Sequence, residues 1–208
     1  MNLSFYHLDL WITPDVLIPR LETEHLVELI LQREKSGCVL DLCTGSGCIG
    51  LALKQENPAF EVTLSDISEE ALGVARTNAV RNGLEVETIQ SDLFRDLPPK
   101  LYDILVSNPP YVTSAEYKAL DPSVKDCEPK LALHGGWDGL KYYRAIVLGA
   151  APFLRPGAHL YLESSPMIID RLPEIFSAPC WTKGRIIPDQ FGRLRYYSLE
   201  YNGDKGIF

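Results

Sequence analysis

The sequence alternates short apolar runs with longer segments of helical period, and this alternation constrains the fold more than any other feature. Five runs have the length of a β-strand: residues 38–43, 61–66, 86–92, 102–107 and 158–164. Their alternation with helical segments predicts βαβ units, so we expect an α/β fold with a mostly parallel sheet. Residues 184–189 and 193–201 flank a Gln-Phe-Gly turn and predict an antiparallel hairpin added to the C-terminal end of that sheet.

Local signals give the positions of individual elements. The segment after Pro19 predicts a helix with an acidic first turn. Ser68 predicts the N-cap of a later helix, which ends before Gly83. The run 102–107 contains four apolar residues, three of them consecutive, so we expect it to be a central strand buried on both faces.

Two further predictions concern the connections between these elements. Residues 138–154 predict one long helix that ends before Pro156. Residues 114–129 predict an irregular insertion. The chain contains no internal repeat and no low-complexity tract, and its length of 208 residues fits a single domain.

The charge balance bears on the class of partner. The chain carries 28 acidic and 20 basic residues, which gives a formal charge of −8. No global field therefore attracts a phosphate backbone, and this weighs against nucleic acid as the direct substrate.

Cysteine and histidine usage bears on metals and on the cellular compartment. The five cysteines form no Cys-x-x-Cys pair, and the four histidines form no His-Glu-x-x-His motif, so no metal site is predicted. Free thiols indicate a reducing, cytoplasmic environment. We expect neither a signal peptide nor a membrane span, because the longest apolar stretch, residues 145–154, is interrupted by Gly149 and Pro152.

A glycine-rich turn links the first predicted parallel strand to the next helix. Gly45, Gly47 and Gly50 have the Gly-x-Gly-x-x-Gly spacing, which lets backbone approach a ligand beside a helix N-terminus. Asp66 ends the following strand, where an acid can accept hydrogen bonds from ribose hydroxyls. This pattern fits NAD, FAD or S-adenosylmethionine alike.

Further acids favour S-adenosylmethionine among these cofactors. A negative charge at Asp41, near the glycine turn, suits a ligand with an ammonium and a sulfonium better than one with a pyrophosphate. Asp92 ends the third strand, where it can meet the adenine edge, and Leu93 and Phe94 can cover the ring. Ligands of such sheets bind beyond the carboxyl ends of the strands, where these acids recur.

The sequence Asn-Pro-Pro-Tyr, residues 108–111, follows the fourth strand at the same sheet edge. A planar NH₂ group is a poor nucleophile, so its methylation requires orientation and charge stabilisation more than a strong base. The Asn108 side-chain oxygen and the Pro109 carbonyl can each accept one of its N–H groups, and Tyr111 can stack on its plane. The prolines stiffen this arrangement. No histidine or carboxylate adjoins the motif in sequence, so we expect no dedicated general base.

The motifs together resemble the HemK-type (PrmC-like) protein-glutamine N5-methyltransferases, which modify peptide-chain release factors. The similar segments occur in family order and cover most of residues 5–154: VLIPRLETEHLVE, VLDLCTGSGCIGLAL, LSDISEEALGVARTNAVRNG, YDILVSNPPYV and EPKLALHGGWDGLKYYRAI. The glycine turn is generic to class I S-adenosylmethionine-dependent methyltransferases with a Rossmann-like sheet. The Asn-Pro-Pro-Tyr motif is shared with amino-directed DNA and RNA methylases. The segments IPRLETE and EPKLALHGGWDGL are specific to the family.

The resemblance implies a set of site residues. The implied cofactor site consists of Cys43, Thr44, Gly45, Ser46, Gly47, Asp66, Asp92, Leu93 and Asn108. The implied substrate site consists of Asn108, Pro109, Pro110 and Tyr111, which would embrace the glutamine of a Gly-Gly-Gln tip. Arg20, Glu22 and Thr23 would help to close the pocket, although Arg20 and Glu22 could equally be an exposed ion pair in the first turn of a helix.

The resemblance also implies a domain plan and shows three departures. Residues 1–208 would form one methyltransferase domain, with an entry segment and helix at 1–36 and the cofactor- and substrate-binding core at 37–208. Leu21 replaces a proline of the family pattern, and the segment LESSP replaces the usual glutamate, apolar residue and glycine. Family members usually carry a helical N-terminal domain, and this chain begins at about the point where the methyltransferase domain does.

Several functions stay open at this stage. The leading hypothesis is a cytoplasmic enzyme that methylates a release-factor glutamine. The acceptor could instead be a ribosomal-protein glutamine or an exocyclic amino group of DNA or RNA. A non-catalytic module that binds the cofactor or a ribosomal partner is a third hypothesis. An NAD oxidoreductase would leave the Asn-Pro-Pro-Tyr motif unexplained.

Overall fold

The computed structural model describes residues 1–125 and 127–203. This part of the chain contains nine strands: β1 (Asn2–Phe5), β2 (Leu8–Trp11), β3 (Gly37–Leu42), β4 (Phe60–Asp66), β5 (Glu87–Gln90), β6 (Tyr102–Ser107), β7 (Leu154–Glu163), β8 (Trp181–Pro188) and β9 (Leu194–Tyr201). The same part contains eight α-helices: α1 (Leu21–Arg33), α2 (Cys48–Glu56), α3 (Glu69–Arg81), α4 (Ser114–Ala119), α5 (Pro122–Lys125), α6 (Lys130–Leu133), α7 (Lys141–Gly149) and α8 (Leu172–Ile175). Short 3₁₀ helices occur at Ala151–Phe153 and Ile169–Arg171.

Seven strands form one sheet in the order β5-β4-β3-β6-β7-β9-β8. Neighbouring strands from β5 to β7 run parallel, whereas β9 pairs antiparallel with both β7 and β8. The predicted α/β fold, its mostly parallel sheet and its C-terminal hairpin are confirmed. The strand β6 lies at the centre of the sheet and is buried along nearly its whole length, as predicted. Because parallel strands end at a common edge, the carboxyl ends of β3, β4, β6 and β7 lie side by side.

Hydrophobic side chains pack on both faces of the sheet. On one face, Leu26 of α1 and Leu51 of α2 are fully buried. On the other face, Tyr143 and Ile146 of α7 are fully buried. Burial of each such side chain contributes roughly 1.5–3 kcal/mol. The two cores explain why Ile104, Leu105 and Val106 follow one another in β6, since neither face of this part of the strand meets solvent.

The predicted helix caps are confirmed at α3. The Ser68 side chain accepts a hydrogen bond of 3.1 Å from the Ala71 N–H, and Gly83 follows the helix in a left-handed conformation. The helix predicted after Pro19 is confirmed as α1, with Glu22 and Glu24 in its first turn.

Two predicted connections were wrong. The segment 114–129 is not an irregular insertion, because it contains α4 and α5, and Thr113 and Glu116 form a capping box at the start of α4. The helix predicted over residues 138–154 is confined to α7, and β7 begins at Leu154. Pro156 lies inside β7, at a register irregularity opposite β6, where a missing N–H donor is tolerated.

Two strands also differ from the sequence predictions. The third parallel strand ends at Gln90, two residues before Asp92. The hairpin of β1 and β2 was not predicted, because its turn consists of Tyr6 and His7 at positive φ rather than of glycine or asparagine. This hairpin packs against α3, where the Asn78 side chain accepts a hydrogen bond of 2.7 Å from the Trp11 N–H.

Candidate active site

A cleft opens at the carboxyl ends of the parallel strands and encloses about 1020 Å³, including solvent at its mouth. Nine of the predicted site residues line this strand-end cleft: Cys43, Thr44, Gly45, Ser46, Asp66, Asp92, Leu93, Asn108 and Pro110. Gly47, Pro109 and Tyr111 are not among its lining residues.

The glycine turn has one open and one packed glycine. A Cβ atom placed on Gly45 would meet no atom within 4 Å, so this residue leaves space at the cleft wall. A Cβ atom on Gly47 would lie 3.0 Å from the Leu51 side chain, and Gly47 is the N-cap of α2 with φ of 82°. Gly47 therefore shapes the turn, whereas Gly45 borders the ligand space.

Asp66 fixes the turn from the end of β4. Its Oδ2 accepts a hydrogen bond of 2.9 Å from the Gly45 N–H, and its Oδ1 accepts one of 3.0 Å from the Ser68 N–H. Burial raises the pKa of Asp66, although these backbone donors oppose that shift. A carboxylate has about four acceptor positions, so Asp66 retains capacity for hydroxyl donors from the cleft.

Asp41 lies beneath the turn and is fully buried. Its Oδ2 accepts hydrogen bonds from Thr44 Oγ1 at 2.6 Å and from the Gly50 N–H at 2.9 Å. Its Oδ1 has no hydrogen-bond partner among the described residues, and burial raises the pKa of the carboxyl to about 7. An unsatisfied buried acid beside an open turn fits a ligand that brings positive charge, as S-adenosylmethionine does, better than one that brings phosphate.

Leu93 forms part of the opposite wall of the cleft. Its backbone is left-handed, with φ of 52°, which is uncommon for a leucine. Ser91 holds this conformation, because its hydroxyl donates to the Leu93 carbonyl at 2.7 Å and accepts from the Asp96 N–H at 3.0 Å. Leu93 and Ile67 both line the cleft and give it an apolar side suited to an aromatic ring.

The Asn-Pro-Pro-Tyr corner follows β6 directly. Asn108 and Pro110 line the strand-end cleft, and Pro109 is buried. Within the described residues, neither the Asn108 side chain nor the Pro109 carbonyl has a hydrogen-bond partner. Of the two residues, Asn108 lines the cleft, so its side-chain oxygen can accept a hydrogen bond from a ligand there, whereas Pro109 is not a lining residue.

The EPKLALHGGWDGL segment braces this corner from behind. The Val112 N–H donates to the Leu133 carbonyl at 2.9 Å, and the Gly135 N–H donates to the Val112 carbonyl at 2.8 Å. A Cβ atom on Gly135 would lie 2.6 Å from the Pro110 carbonyl oxygen, and one on Gly139 would lie 2.4 Å from the Tyr111 carbonyl oxygen. The glycines of this segment are thus required for its close packing against the corner.

The same segment also contacts the IPRLETE segment, residues 18–24. The Arg20 guanidinium donates to both carboxylate oxygens of Glu128, at 2.7 and 2.8 Å, and the Ile18 N–H donates to Glu128 Oε1 at 3.2 Å. The alternative in which Arg20 and Glu22 form an exposed pair is wrong, because the partner of Arg20 is the buried Glu128. Pro129, next to Glu128, lines the cleft.

Sequence reasoning missed Glu163 as a member of the site. This residue ends β7 at the cleft edge, is 1% exposed, and accepts a hydrogen bond of 2.9 Å from Thr23 Oγ1. Burial raises the pKa of Glu163 to about 7, and the nearby charge of Glu163 in turn helps to raise the pKa of Tyr111. A carboxyl group thus approaches the motif in space although none adjoins it in sequence. The available signal was its position at the end of a parallel strand.

Residues 21–137 match the family model for the methyltransferase small domain. The chain is 43% identical over 204 residues to a release factor glutamine methyltransferase of Streptococcus pneumoniae, an alignment that covers 97% of this chain and 73% of that protein. This chain belongs to the release factor glutamine methyltransferase family. A Chlamydia trachomatis member is 40% identical over 99% of this chain and 72% of its own length, and a Geobacter sulfurreducens member is 44% identical over 77% and 57%, respectively.

Solved structures share the fold of this release factor glutamine methyltransferase family member. A methyltransferase from Pyrococcus furiosus has a TM-score of 0.71 at 18% identity, covering 94% of this chain and 89% of that chain. The 16S rRNA methyltransferase RsmC of Thermus thermophilus, solved with AdoMet and guanosine, has a TM-score of 0.68 at 20% identity, covering 97% and 50%. At these identities the likeness shows the fold alone. In the described residues, no group of three or more potential ligands is arranged for a metal ion.

Proposed function

We propose that this chain transfers the methyl group of S-adenosylmethionine to the side-chain amide nitrogen of a protein glutamine, and that the acceptor is the Gly-Gly-Gln glutamine of peptide-chain release factors. One observation carries the proposal: within the described residues, the side chain of Asn108 lines the strand-end cleft without a hydrogen-bond partner, next to a Pro109 carbonyl that also has none. The names of the family relatives support glutamine as the acceptor.

We assign the cofactor to the strand-end cleft. The residues that would hold it are Cys43, Thr44, Gly45, Ser46, Asp66, Asp92, Leu93 and Asn108, while Gly47 shapes the turn. S-adenosylmethionine supplies an electrophilic methyl group on a positively charged sulfur. Asp66 would accept hydrogen bonds from ribose hydroxyls, and Leu93 would cover the adenine ring.

The chain's own contribution to the chemistry is orientation. Asn108 Oδ1 and the Pro109 carbonyl each accept one N–H of the glutamine amide, which turns the nitrogen lone pair away from both oxygens. The same two oxygens stabilise the positive charge that develops on this nitrogen as it gains the methyl group, and one amide proton then passes to solvent water. Pro109 and Pro110 keep the acceptors in place at low entropic cost.

Tyr111 takes the role of a side wall for the glutamine. Its surroundings include Glu163, Arg195 and Arg20, whose charges all act on the pKa of its phenol. Burial raises that pKa, so the hydroxyl stays neutral and can only donate or accept a hydrogen bond. We therefore assign Tyr111 to substrate positioning rather than to proton abstraction.

Two features bear on the cellular compartment of the reaction. All five cysteines are free thiols, which suits a cytoplasmic enzyme. No helix in the described ranges has the length and apolar character needed to cross a bilayer. We treat residues 1–208 as one methyltransferase domain.

Mass spectrometry tests the proposal. Incubation with S-adenosylmethionine and a purified bacterial release factor is expected to add one methyl group to the Gly-Gly-Gln peptide. Absence of this methyl group with the wild-type chain would contradict the proposed function. Transfer to RNA, DNA or a ribosomal protein in place of the release factor would contradict the assigned acceptor.

A further inference from the structure

The turn between β8 and β9 is held by one buried carboxylate. Asp189 Oδ1 accepts hydrogen bonds from the Phe191 and Arg193 N–H groups, both at 2.9 Å. Asp189 Oδ2 accepts one from Arg195 Nε, also at 2.9 Å, and the Asp189 side chain is 0% exposed. Asp189 therefore fixes the backbone from which the exposed side chains of Phe191 and Arg193 project.

Both side chains are exposed to solvent. The Phe191 residue is 58% exposed. Within the described part of the chain, the Arg193 guanidinium takes part in no hydrogen bond or ion pair. Aromatic residues and arginine are the residue types that contribute most to protein–protein binding. A rigid turn that displays both has the properties of a contact element.

The first turn of α1 lies next to the β8–β9 turn. Leu21 is 63% exposed, and its carbonyl accepts a hydrogen bond of 3.1 Å from Gln190 Nε2. The Tyr196 hydroxyl donates to the Glu22 carbonyl at 2.5 Å, which joins β9 to the same helix. The two elements are therefore fixed to each other before any partner binds, which lowers the entropic cost of binding.

Between them runs a second depression, which we call the outer groove. Its lining residues are Pro19, Arg20, Leu21, Glu22, Phe191 and Arg193, and it encloses about 760 Å³, including open solvent. Pro19 also lines the strand-end cleft, so the two depressions are adjacent. Arg20 and Glu22 act on the pKa of the Tyr111 phenol, which places the outer groove beside the Asn-Pro-Pro-Tyr corner as well.

We propose that the outer groove binds the polypeptide that flanks the target glutamine, an inference that rests on the proposed function. A polypeptide presents alternating N–H and C=O groups, and Glu22 and Arg193 offer an acceptor and a donor for them. Leu21 and Phe191 offer apolar contact for a side chain. Glu22 within the groove and the net charge of −8 disfavour a nucleic acid in this position.

Binding and kinetics of two variants test the proposal. We expect Phe191→Ala and Arg193→Ala each to weaken binding of an intact bacterial release factor about tenfold by calorimetry, and to raise its KM by a similar factor with kcat unchanged. A short synthetic Gly-Gly-Gln peptide should show no such loss. Matched controls are Leu148→Ala, an exposed leucine of α7, and Arg185→Ala, an exposed arginine of the same hairpin.

Each outcome decides between the two proposals. Unchanged release-factor affinity in both variants, or equal losses in the controls, would overturn the groove assignment. A loss of affinity for RNA in place of the release factor would also overturn it. A wild-type chain that binds the release factor through these residues but transfers no methyl group would contradict the proposed function and support the docking surface. A wild-type chain that binds no release factor would overturn the docking surface.

Discussion

The guanidinium of Arg20 donates two hydrogen bonds to the carboxylate of Glu128, 108 residues further along the chain. This pair joins the segment that leads into α1 to the segment that braces the Asn-Pro-Pro-Tyr corner. The Glu128 side chain is 2% exposed and that of Arg20 is 40% exposed, so the acid depends on the arginine for its compensation. The two segments specific to the family thus form one structural unit beside the cleft.

We expect Arg20→Ala to lower the free energy of unfolding by about 2–3 kcal/mol, because it leaves a buried carboxylate without its counter-charge. Urea denaturation measures this change. The double variant Arg20→Ala/Glu128→Gln should recover part of the loss, because it removes the unpaired charge. A double variant less stable than Arg20→Ala alone would show that the charge of Glu128 is compensated by other groups.

Thr23 supplies the hydrogen bond that Glu163 receives at the end of β7. Replacement by valine keeps the shape of the side chain and removes the donor, so we expect Thr23→Val to cost about 1–3 kcal/mol in the free energy of unfolding. Thr23→Ser retains the hydroxyl and should retain most of the stability. Equal losses in both variants would mean that packing of the methyl group, not the hydrogen bond, stabilises this site.

The stability of the chain should depend on pH through Glu163. Burial raises its folded-state pKa to about 7, above the ordinary value of 4.5, so the folded state binds this proton more tightly than the unfolded state does. Its contribution to stability is therefore present below about pH 4.5 and is lost as the pH rises towards 7. Between pH 4.5 and 8 we expect the wild type to lose about 3 kcal/mol relative to Glu163→Gln.

Urea unfolding of both proteins at several pH values measures this difference. Glu85→Gln, the same replacement at an exposed position, is the matched control. Parallel curves for the wild type and Glu163→Gln would contradict a raised pKa at Glu163. Asp41, whose pKa is also raised to about 7 by burial, remains in both proteins and therefore cancels in the comparison.

Gly135 allows the bracing segment to approach the Asn-Pro-Pro-Tyr corner. We expect Gly135→Ala to lower kcat for methyl transfer at least about tenfold, because the new Cβ atom forces the Pro110 carbonyl to shift. The control is Gly73→Ala in α3, where a Cβ atom meets nothing within 4 Å. This control should keep full activity and gain about 0.5–1 kcal/mol of stability. Normal kcat in Gly135→Ala would show that the position of the corner is not critical.

The sequence allowed the fold class to be predicted because the strand and helix periods alternate regularly. The strands β3, β6 and β7 each carry three consecutive apolar residues, and β4 alternates apolar with polar residues; both patterns are typical of strands. The β1–β2 hairpin escaped prediction because its two-residue turn, Tyr6-His7, lacks the residue types that favour positive φ. The length of β7 was not predicted, because a proline such as Pro156 usually ends a helix or a strand. Only the irregular register opposite β6 shows why it is tolerated within β7.

The candidate site, like the fold, has parts that the sequence predicts and parts that it does not. The glycine turn, Asp66 and Asn108 could be placed from spacing, since strand ends share one edge of the sheet. Spacing could not predict pairings across more than one hundred residues, because they depend on tertiary packing. Examples are Arg20 with Glu128 and Thr23 with Glu163. The stacking of Tyr111 on the plane of the target amide stays a prediction.

The central claim is that Asn108 and the Pro109 carbonyl orient the amide of the target glutamine. The rate of a single methyl transfer, measured with saturating S-adenosylmethionine and release factor, tests it most directly in Asn108→Ala. Removal of one preorganised group from a reacting centre costs roughly 10²–10³ in rate, so we expect a loss of at least about a hundredfold while the variant still binds the release factor. A rate within about twofold of the wild type would contradict the claim.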